Sequence, residues 1–407
     1  SFWIYQEVTE KQLKKFESAV CAPQTPIPDM VKEVVKRVKT YSFLRSKKLP
    51  NPFPLISYEG SSSKNSPQMF NRKSIKQDVA ILNDLTVFNT NEGISLYRKY
   101  KDIFQPLLKG LDRDKQLSYI TDNAHPLSII DVSNIHVGNV AFIQEPGGKL
   151  RSVANPYRIF QEALRPLGNY LYQVAKQLPW DCTFRQSDAF EPVRSALEKG
   201  RSVYSVDLSS ATDYFPLELQ SGVVRSLISK TSHHYVDLWL DLCKGVWKLP
   251  DGRKISWKRG QPLGMFPSFA AFTISHGFLL HHLHHDSGVK WNHAWNGEFF
   301  VLGDDVVILD ESLYHKYMKT LDLMGCPYSS EKTLSSSKIA EFAGKVILPS
   351  GVYPQMKYRQ FSDDNFLDLC KLLGPNSRLL LRQRQKRVFD FVKNLLPPIG
   401  LNISLPG

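Results

Sequence analysis

The sequence predicts an α+β fold, an antiparallel sheet with helices packed on one face. Three observations lead there. Residues 299–310 read FFVLGDDVVILD, two apolar runs around a Gly-Asp-Asp turn, which is the pattern of a short hairpin. Residues 139–156 read NVAFIQE, PGGK and LRSVANP: a strand, a turn and a second strand. Around both lie stretches with helical periodicity, so strand and helix alternate through the middle of the chain.

Taken in order, residues 1–50 are helical and basic, with VKEVVKRVKT at 31–40 mixing charge and apolar residues. Residues 51–68 are rich in Pro, Ser and Gly and read as a loop or linker. LYRKYKDIFQPLLKGL, at 96–111, predicts one helix. After the strand pair a long helix is expected over about 159–178. SVYSVDLSSATD, at 202–213, is a strand that runs into polar residues. Helices follow over 217–245, and the Gly-Pro loop GQPLGMFPS at 260–268 leads into another. Beyond the hairpin, Leu313, Tyr317, Leu321 and Met324 recur every three or four residues, as on one face of a helix. Residues 331–354 are turn and hairpin material, and the tail from 365 is helical and basic.

The bulk properties narrow the function. A chain of 407 residues can bury a large core split into subdomains. With 42% hydrophobic and 22% charged residues it is neither disordered nor collagen-like. Lys and Arg total 52 against 39 Asp and Glu, a formal charge of +13 that suits a polyanionic partner. The five cysteines are scattered, with no CxxC pair, so reduced thiols are expected rather than a disulfide framework or a zinc ribbon. No apolar run reaches the ~18 residues of a membrane span.

The carboxylates carry the chemistry. Asp304 and Asp305 are adjacent like charges between apolar flanks, and burying either alone is costly. Asp207 follows the apolar end of a strand, and Asp213 lies six residues on. Two strands that each deliver carboxylates at one end could hold Mg²⁺, which takes hard oxygen ligands and keeps water and substrate phosphates as the rest. Two such ions ~4 Å apart serve phosphoryl transfer. Gly260 and Gly264 would let backbone approach a ligand, and Ser268 offers a hydroxyl at a helix start. Lys149, Arg151 and Arg158 form a candidate triphosphate clamp, and Lys332 in SSEKT a candidate proton donor to pyrophosphate.

In this order the segments resemble the catalytic motifs of viral RNA-dependent RNA polymerases. KLR at Lys149 resembles motif F, DLSSATD motif A, GQPLGMFPS motif B, GDD motif C, SSEKT motif D, and EFAGK at Glu341 the hairpin after it. The likeness runs over about 140–350 and is similar to the levivirus, narnavirus, mitovirus and ourmia-like lineage, leaning to ourmia-like or narna-like members. It implies a right-handed architecture: an N-terminal extension and part of the fingers over 1–139, fingers over 140–199, an antiparallel-sheet palm over 200–350, and a small helical thumb over 351–407. It implies replication of a positive-strand RNA genome from ribonucleoside triphosphates, with template and product duplex as partners. It implies Mg²⁺, or Mn²⁺ in its place, on Asp207, Asp304 and Asp305. Asp213 and Ser268 would meet the ribose, Lys149 and Arg151 the triphosphate, and Lys332 would be the acid. The host-cell cytoplasm is the expected compartment, with the mitochondrion open. One departure stands out: many such enzymes carry an asparagine early in the motif B helix, and SFAAFTISH has none.

Two other readings compete. A reverse transcriptase also pairs aspartates on a hairpin, but the polar Thr212-Asp213 suits a site that accepts a 2′-hydroxyl. A basic RNA-binding protein without catalysis would need the charge but not four aspartates. His281 and His285 are spaced to share a helix face, and the expected reading is the polar face of that helix rather than a zinc site.

Overall fold

A computed structural model of the protein describes residues 8–41, 44, 46–55, 85–109, 111–123, 132–145, 149–285, 295–330, 333–354, 378–379 and 381–392. The chain opens with α1 (Glu10–Val20) and α2 (Pro28–Lys39). Thr9 and Gln12 close a reciprocal capping box on α1, which satisfies two otherwise orphaned amides. The helix expected over 96–111 is broken into α3 (Asn91–Lys99) and α4 (Lys101–Leu108). The break is at Tyr100, whose backbone leaves helical geometry and whose hydroxyl donates to the Asp241 carboxylate. A further helix, α5 (Asp112–Asp122), follows.

The expected strand pair forms as β1 (His136–Glu145) and β2 (Lys149–Pro156), antiparallel with Glu145 opposite Lys149. Then come α6 (Arg158–Gln177), α7 (Phe190–Glu198), β3 (Val203–Asp207), the single turn α8 (Ala211–Tyr214), α9 (Leu217–Leu227) and α10 (His233–Cys243). Strands β4 (Val246–Lys248) and β5 (Lys254–Ile255) return to the first pair, giving a sheet ordered β2-β1-β4-β5. The long α11 (Ser268–His285) leads to the hairpin β6 (Phe299–Leu302) and β7 (Asp305–Ile308).

The amphipathic helix is α12 (Glu311–Met324), capped by Asp310 and stopped by Gly325 in the left-handed region. Its four periodic residues, Leu313, Tyr317, Leu321 and Met324, are all buried. Strands β8 (Leu334–Ser336), β9 (Ala340–Phe342), β10 (Lys345–Leu348) and β11 (Gly351–Pro354) follow. The last described helix is α13 (Gln383–Val392); the rest of the expected thumb lies outside the described residues.

The central sheet is antiparallel and ordered β6-β7-β3-β8. Strand alternation sends Tyr204, Val206, Val301, Val306 and Ile308 into the main core beneath α11 and α12. Helices on one face were expected, but both faces are covered. Val203, Phe300 and Val307 point the other way, into a second core made by Val193, Ala196 and Leu197 of α7 with Ala340, Phe342 and Ile347. The sheet is thus a two-sided platform, and its open end is where β3 stops and β7 begins.

Candidate active site

The sheet register builds the site. In the β3–β7 ladder Asp207 stands directly opposite Asp305, and Asp304 is the turn residue just before β7. Opposed residues of an antiparallel pair lie within side-chain reach on the same face, so two carboxylates meet there and a third sits beside them. Glu341 of β9 joins them from the adjoining hairpin; its N–H donates to Ser205 Oγ at 3.0 Å, anchoring β9 to β3. Asp207, Asp305, Ser205 and Glu341 line one cavity of about 240 Å³.

Electrostatics mark the cluster as short of positive charge. Burial raises the Asp305 carboxyl to about 6, and the charges of Asp304, Asp207 and Glu341 add to it. Asp304 is raised by loss of surrounding water and by Asp207, while Arg151 pulls it down. Like charges that raise one another's affinity for protons bind a cation for the same reason. Among the described residues no three His, Cys, Asp or Glu side chains form a ready-made metal cage. A magnesium site does not require one, since one or two carboxylates plus water and substrate phosphates suffice. The donor set, hard carboxylate oxygens under mutual repulsion, fits a divalent ion.

The turn itself is held from below by α11. Thr273 Oγ1 accepts the Gly303 N–H at 3.0 Å and donates to Asp181 Oδ2 at 2.9 Å. One turn along, His276 Nδ1 bonds the Gly303 carbonyl at 2.8 Å, and its Nε2 bonds the Tyr317 hydroxyl at 2.6 Å. A carbonyl only accepts, so Nδ1 carries the proton and Nε2 takes the tyrosine O–H. Gly303 has φ +61°, and a Cβ there would lie 2.7 Å from the Phe269 ring, so the turn requires glycine. Thr273→Val strips the Gly303 N–H of its buried acceptor, at about 1–3 kcal/mol. The expected result is a lower unfolding midpoint and a higher Mg²⁺ requirement for incorporation. An unchanged metal requirement would show that the clamp does not reach the carboxylates.

The other expected site residues divide. Arg151 lies exposed on β2 and is among the charges acting on Asp304. Lys149 opens β2, but its side chain, like all of Lys332, lies outside the described residues. Arg158 does not face open space: it is 1% exposed at the first turn of α6 and pairs with Glu162 at 3.6 Å. Gly264 makes a close approach, but to protein. At φ +133° its missing Cβ would fall 1.9 Å from the Ala154 carbonyl of β2. Ser268 is 1% exposed at the start of α11, and its hydroxyl has no hydrogen-bond partner among the described residues. Asp213 is buried in α8, where it accepts from Trp257 Nε1 at 2.8 Å. Gln261 ties α8 to the start of α11: its N–H donates to the Thr212 carbonyl, next to Asp213, and its Nε2 to the Ser268 carbonyl.

Glu341, Thr273, His276 and Trp257 were not singled out as site residues by sequence reading. The EFAGK stretch pointed to the first; no local pattern points to the others. The histidine run is not a polar face. His281, His282 and His285 are all buried, and His281 stacks on Trp180 at 4.9 Å and bonds the Tyr41 hydroxyl.

Comparison with known proteins gives the chain a family and a fold. The sequence model of the mitovirus RNA-dependent RNA polymerase family matches residues 58–352. The chain belongs to that family. The matching model is that of the mitoviruses, one of the four groups in the lineage named above. Over 211 residues the chain is 29% identical to the RNA-directed RNA polymerase of Cryphonectria parasitica mitovirus 1, covering 52% of this chain and 25% of that protein. Two uncharacterized mitochondrial proteins of Arabidopsis thaliana also match. One is 29% identical over 196 residues, 44% of this chain and 90% of that protein. The other is 30% identical over 185 residues, 42% and 68%. The RNA-dependent RNA polymerase of a human picobirnavirus has a similar fold, with TM-score 0.53 at 11% identity over 90% of this chain and 74% of that one. Its insertion-loop deletion mutant gives TM-score 0.53 at 12% identity over 95% and 79%. The α+β polymerase fold expected from the sequence is thus the fold this chain has.

Proposed function

We propose that the chain is an RNA-dependent RNA polymerase that copies a mitovirus-type RNA genome by adding ribonucleotides to a 3′-hydroxyl. The observation that carries this is the in-register pair Asp207 and Asp305, with Asp304 beside it, at the open end of an antiparallel sheet. In this reading Asp207, Asp304 and Asp305 hold divalent ions, Mg²⁺ or Mn²⁺. When bound, such ions activate the attacking hydroxyl and stabilise the leaving oxygen. The chain's own part is placement. Arg151 offers a bidentate cation to the triphosphate from β2, Lys149 adds charge at the same turn, and Asp213 meets the ribose. Lys332 would hand a proton to pyrophosphate. Buried Arg158 is assigned to holding α6.

We assign the palm to about 200–350, with the fingers before it and a helical thumb after. Because β4 and β5 pair with β1, the fingers also take in residues near 246–255. The partners would be an RNA template, the product duplex and ribonucleoside triphosphates. Relatives named as mitovirus and mitochondrial proteins favour the mitochondrion as the compartment over the cytoplasm. No described helix is long and apolar enough to cross a membrane.

The test is incorporation of labelled ribonucleotides on a primed RNA template with Mg²⁺, comparing the parent with Asp304→Asn. Losing a charged group that stabilises the transition state is expected to cost at least about a thousandfold. Equal product from both proteins would trace the activity to a contaminant and remove Asp304 from the site.

A further inference from the structure

A polymerase that takes ribonucleotides must hold a polar group where the 2′-hydroxyl falls, since that atom alone separates ribose from deoxyribose. Helix α11 supplies no amide for this: its first nine residues, SFAAFTISH, contain neither asparagine nor glutamine. The proposed ribose residue, Asp213, receives its hydrogen bond from elsewhere. Trp257 Nε1 donates to Asp213 Oδ1 at 2.8 Å, and the two side chains are 4% and 8% exposed. No other side chain among the described residues donates to that carboxylate.

The indole is held in turn. Phe16 of α1 meets it edge-on at 6.0 Å and Trp247 of β4 at 5.8 Å. Asp213 lines a cavity of about 20 Å³ together with Ser152 and Thr212, next to β2. The other described residues around that cavity, Phe16, Val140, Ala154 and Leu263 among them, carry no charge, and the indole N–H is the side-chain donor that meets the carboxylate there.

We propose that Trp257 is a positioning residue for sugar selection: its N–H fixes one oxygen of Asp213 so that the other accepts the ribose 2′-hydroxyl. This rests on the polymerase reading above and names the device by which that same site would tell ribose from deoxyribose. Trp257→Phe keeps an aromatic ring between Phe16 and Trp247 but removes the donor. Its selectivity, the ratio of kcat/KM for a ribonucleotide over the matching deoxyribonucleotide, falls about tenfold, the value of one buried charge-assisted hydrogen bond. The loss appears as a raised KM for the ribonucleotide, with deoxyribonucleotide incorporation unchanged. Asp213→Asn lowers the ratio as well, and adding Trp257→Phe to it lowers it no further, because the tryptophan acts only through Asp213.

Primer extension with ATP and dATP on an RNA template, for the parent, both single variants and the double variant, decides the matter. Equal slowing with both sugars in Trp257→Phe, or losses that simply add in the double variant, overturns the proposal and leaves Trp257 as core packing. No incorporation by the parent overturns the polymerase reading itself. Calorimetric binding of α,β-methylene ATP and its 2′-deoxy counterpart then judges Trp257 separately. A ribose preference lost in Trp257→Phe supports it, and a parent that binds both alike overturns it.

Discussion

Gly264→Ala is expected to destabilise the protein by about 4 kcal/mol and to cut ribonucleotide incorporation at least a hundredfold, because strain and overpacking act on the same atom. At φ +133° the backbone is where side chains rarely go, and the new Cβ would fall 1.9 Å from the Ala154 carbonyl. Neither partner can yield cheaply. Ala154 is tied to the loop by its N–H to the Leu263 carbonyl at 2.6 Å. Gln161 of α6 grips the same loop twice, donating to the Gly264 carbonyl at 2.7 Å and accepting the Phe266 N–H at 2.8 Å. Relief of the clash must lift the loop from β2, and with it the start of α11 that supports the carboxylate turn. Gly200 is the control: its φ is +69°, but nothing lies within 4 Å of a Cβ there. Its replacement by alanine should cost about 1 kcal/mol and leave activity intact. Denaturant midpoints and incorporation rates check both, and matching behaviour of the two variants would show that the loop is not clamped.

The second large effect concerns His276. His276→Leu leaves the Gly303 carbonyl and the Tyr317 hydroxyl buried without partners, and is expected to cost about 3 kcal/mol at pH 7. The deficit should depend on pH. Burial pushes His276 down from its ordinary 6.5 to about 4. The native state therefore binds fewer protons at this position than the unfolded chain. What the neutral imidazole contributes is fully present above 6.5 and drains away at about 1.4 kcal/mol per pH unit as pH falls toward 4. The leucine variant has no such group, and the buried carboxylates common to both proteins cancel in the difference. The gap between parent and variant should close by about 2 kcal/mol between pH 6.5 and 5. A gap that stays constant would mean that the imidazole is already charged in the native protein.

Of these two residues, the sequence pointed to Gly264 and not to His276. The Gly-Asp-Asp hairpin, the strand ending in Asp207 and the pair over 139–156 announce themselves through alternation and turn residues, which are local properties of the chain. So does α12, whose buried stripe follows from helical spacing. The roles of Thr273, His276 and Trp257 depend on residues 30, 27 and 44 positions away, across packed elements that no local pattern specifies. Arg158 was misjudged for the same reason. Beside the PGGK turn it reads as an open cation, but the docking of α6 buries it against Glu162. The second cover of the sheet, α7, was missed because its few apolar residues make a face only once β9 and β10 arrive.

The strand order has a consequence for how the molecule comes into being. Strand β3 is flanked by β7 and β8, segments made about a hundred residues or more after it. Pairings of such long sequence separation pay their loop-closure entropy before any contact repays it, so they form late and slowly. A nascent chain that has passed Asp207 but not Asp305 exposes β3 with neither neighbour, an edge open to wrong partners. The carboxylate pair can close only when residues beyond 308 have left the ribosome. A truncated translation product that ends between residues 208 and 304 carries Asp207 without its partner across the sheet.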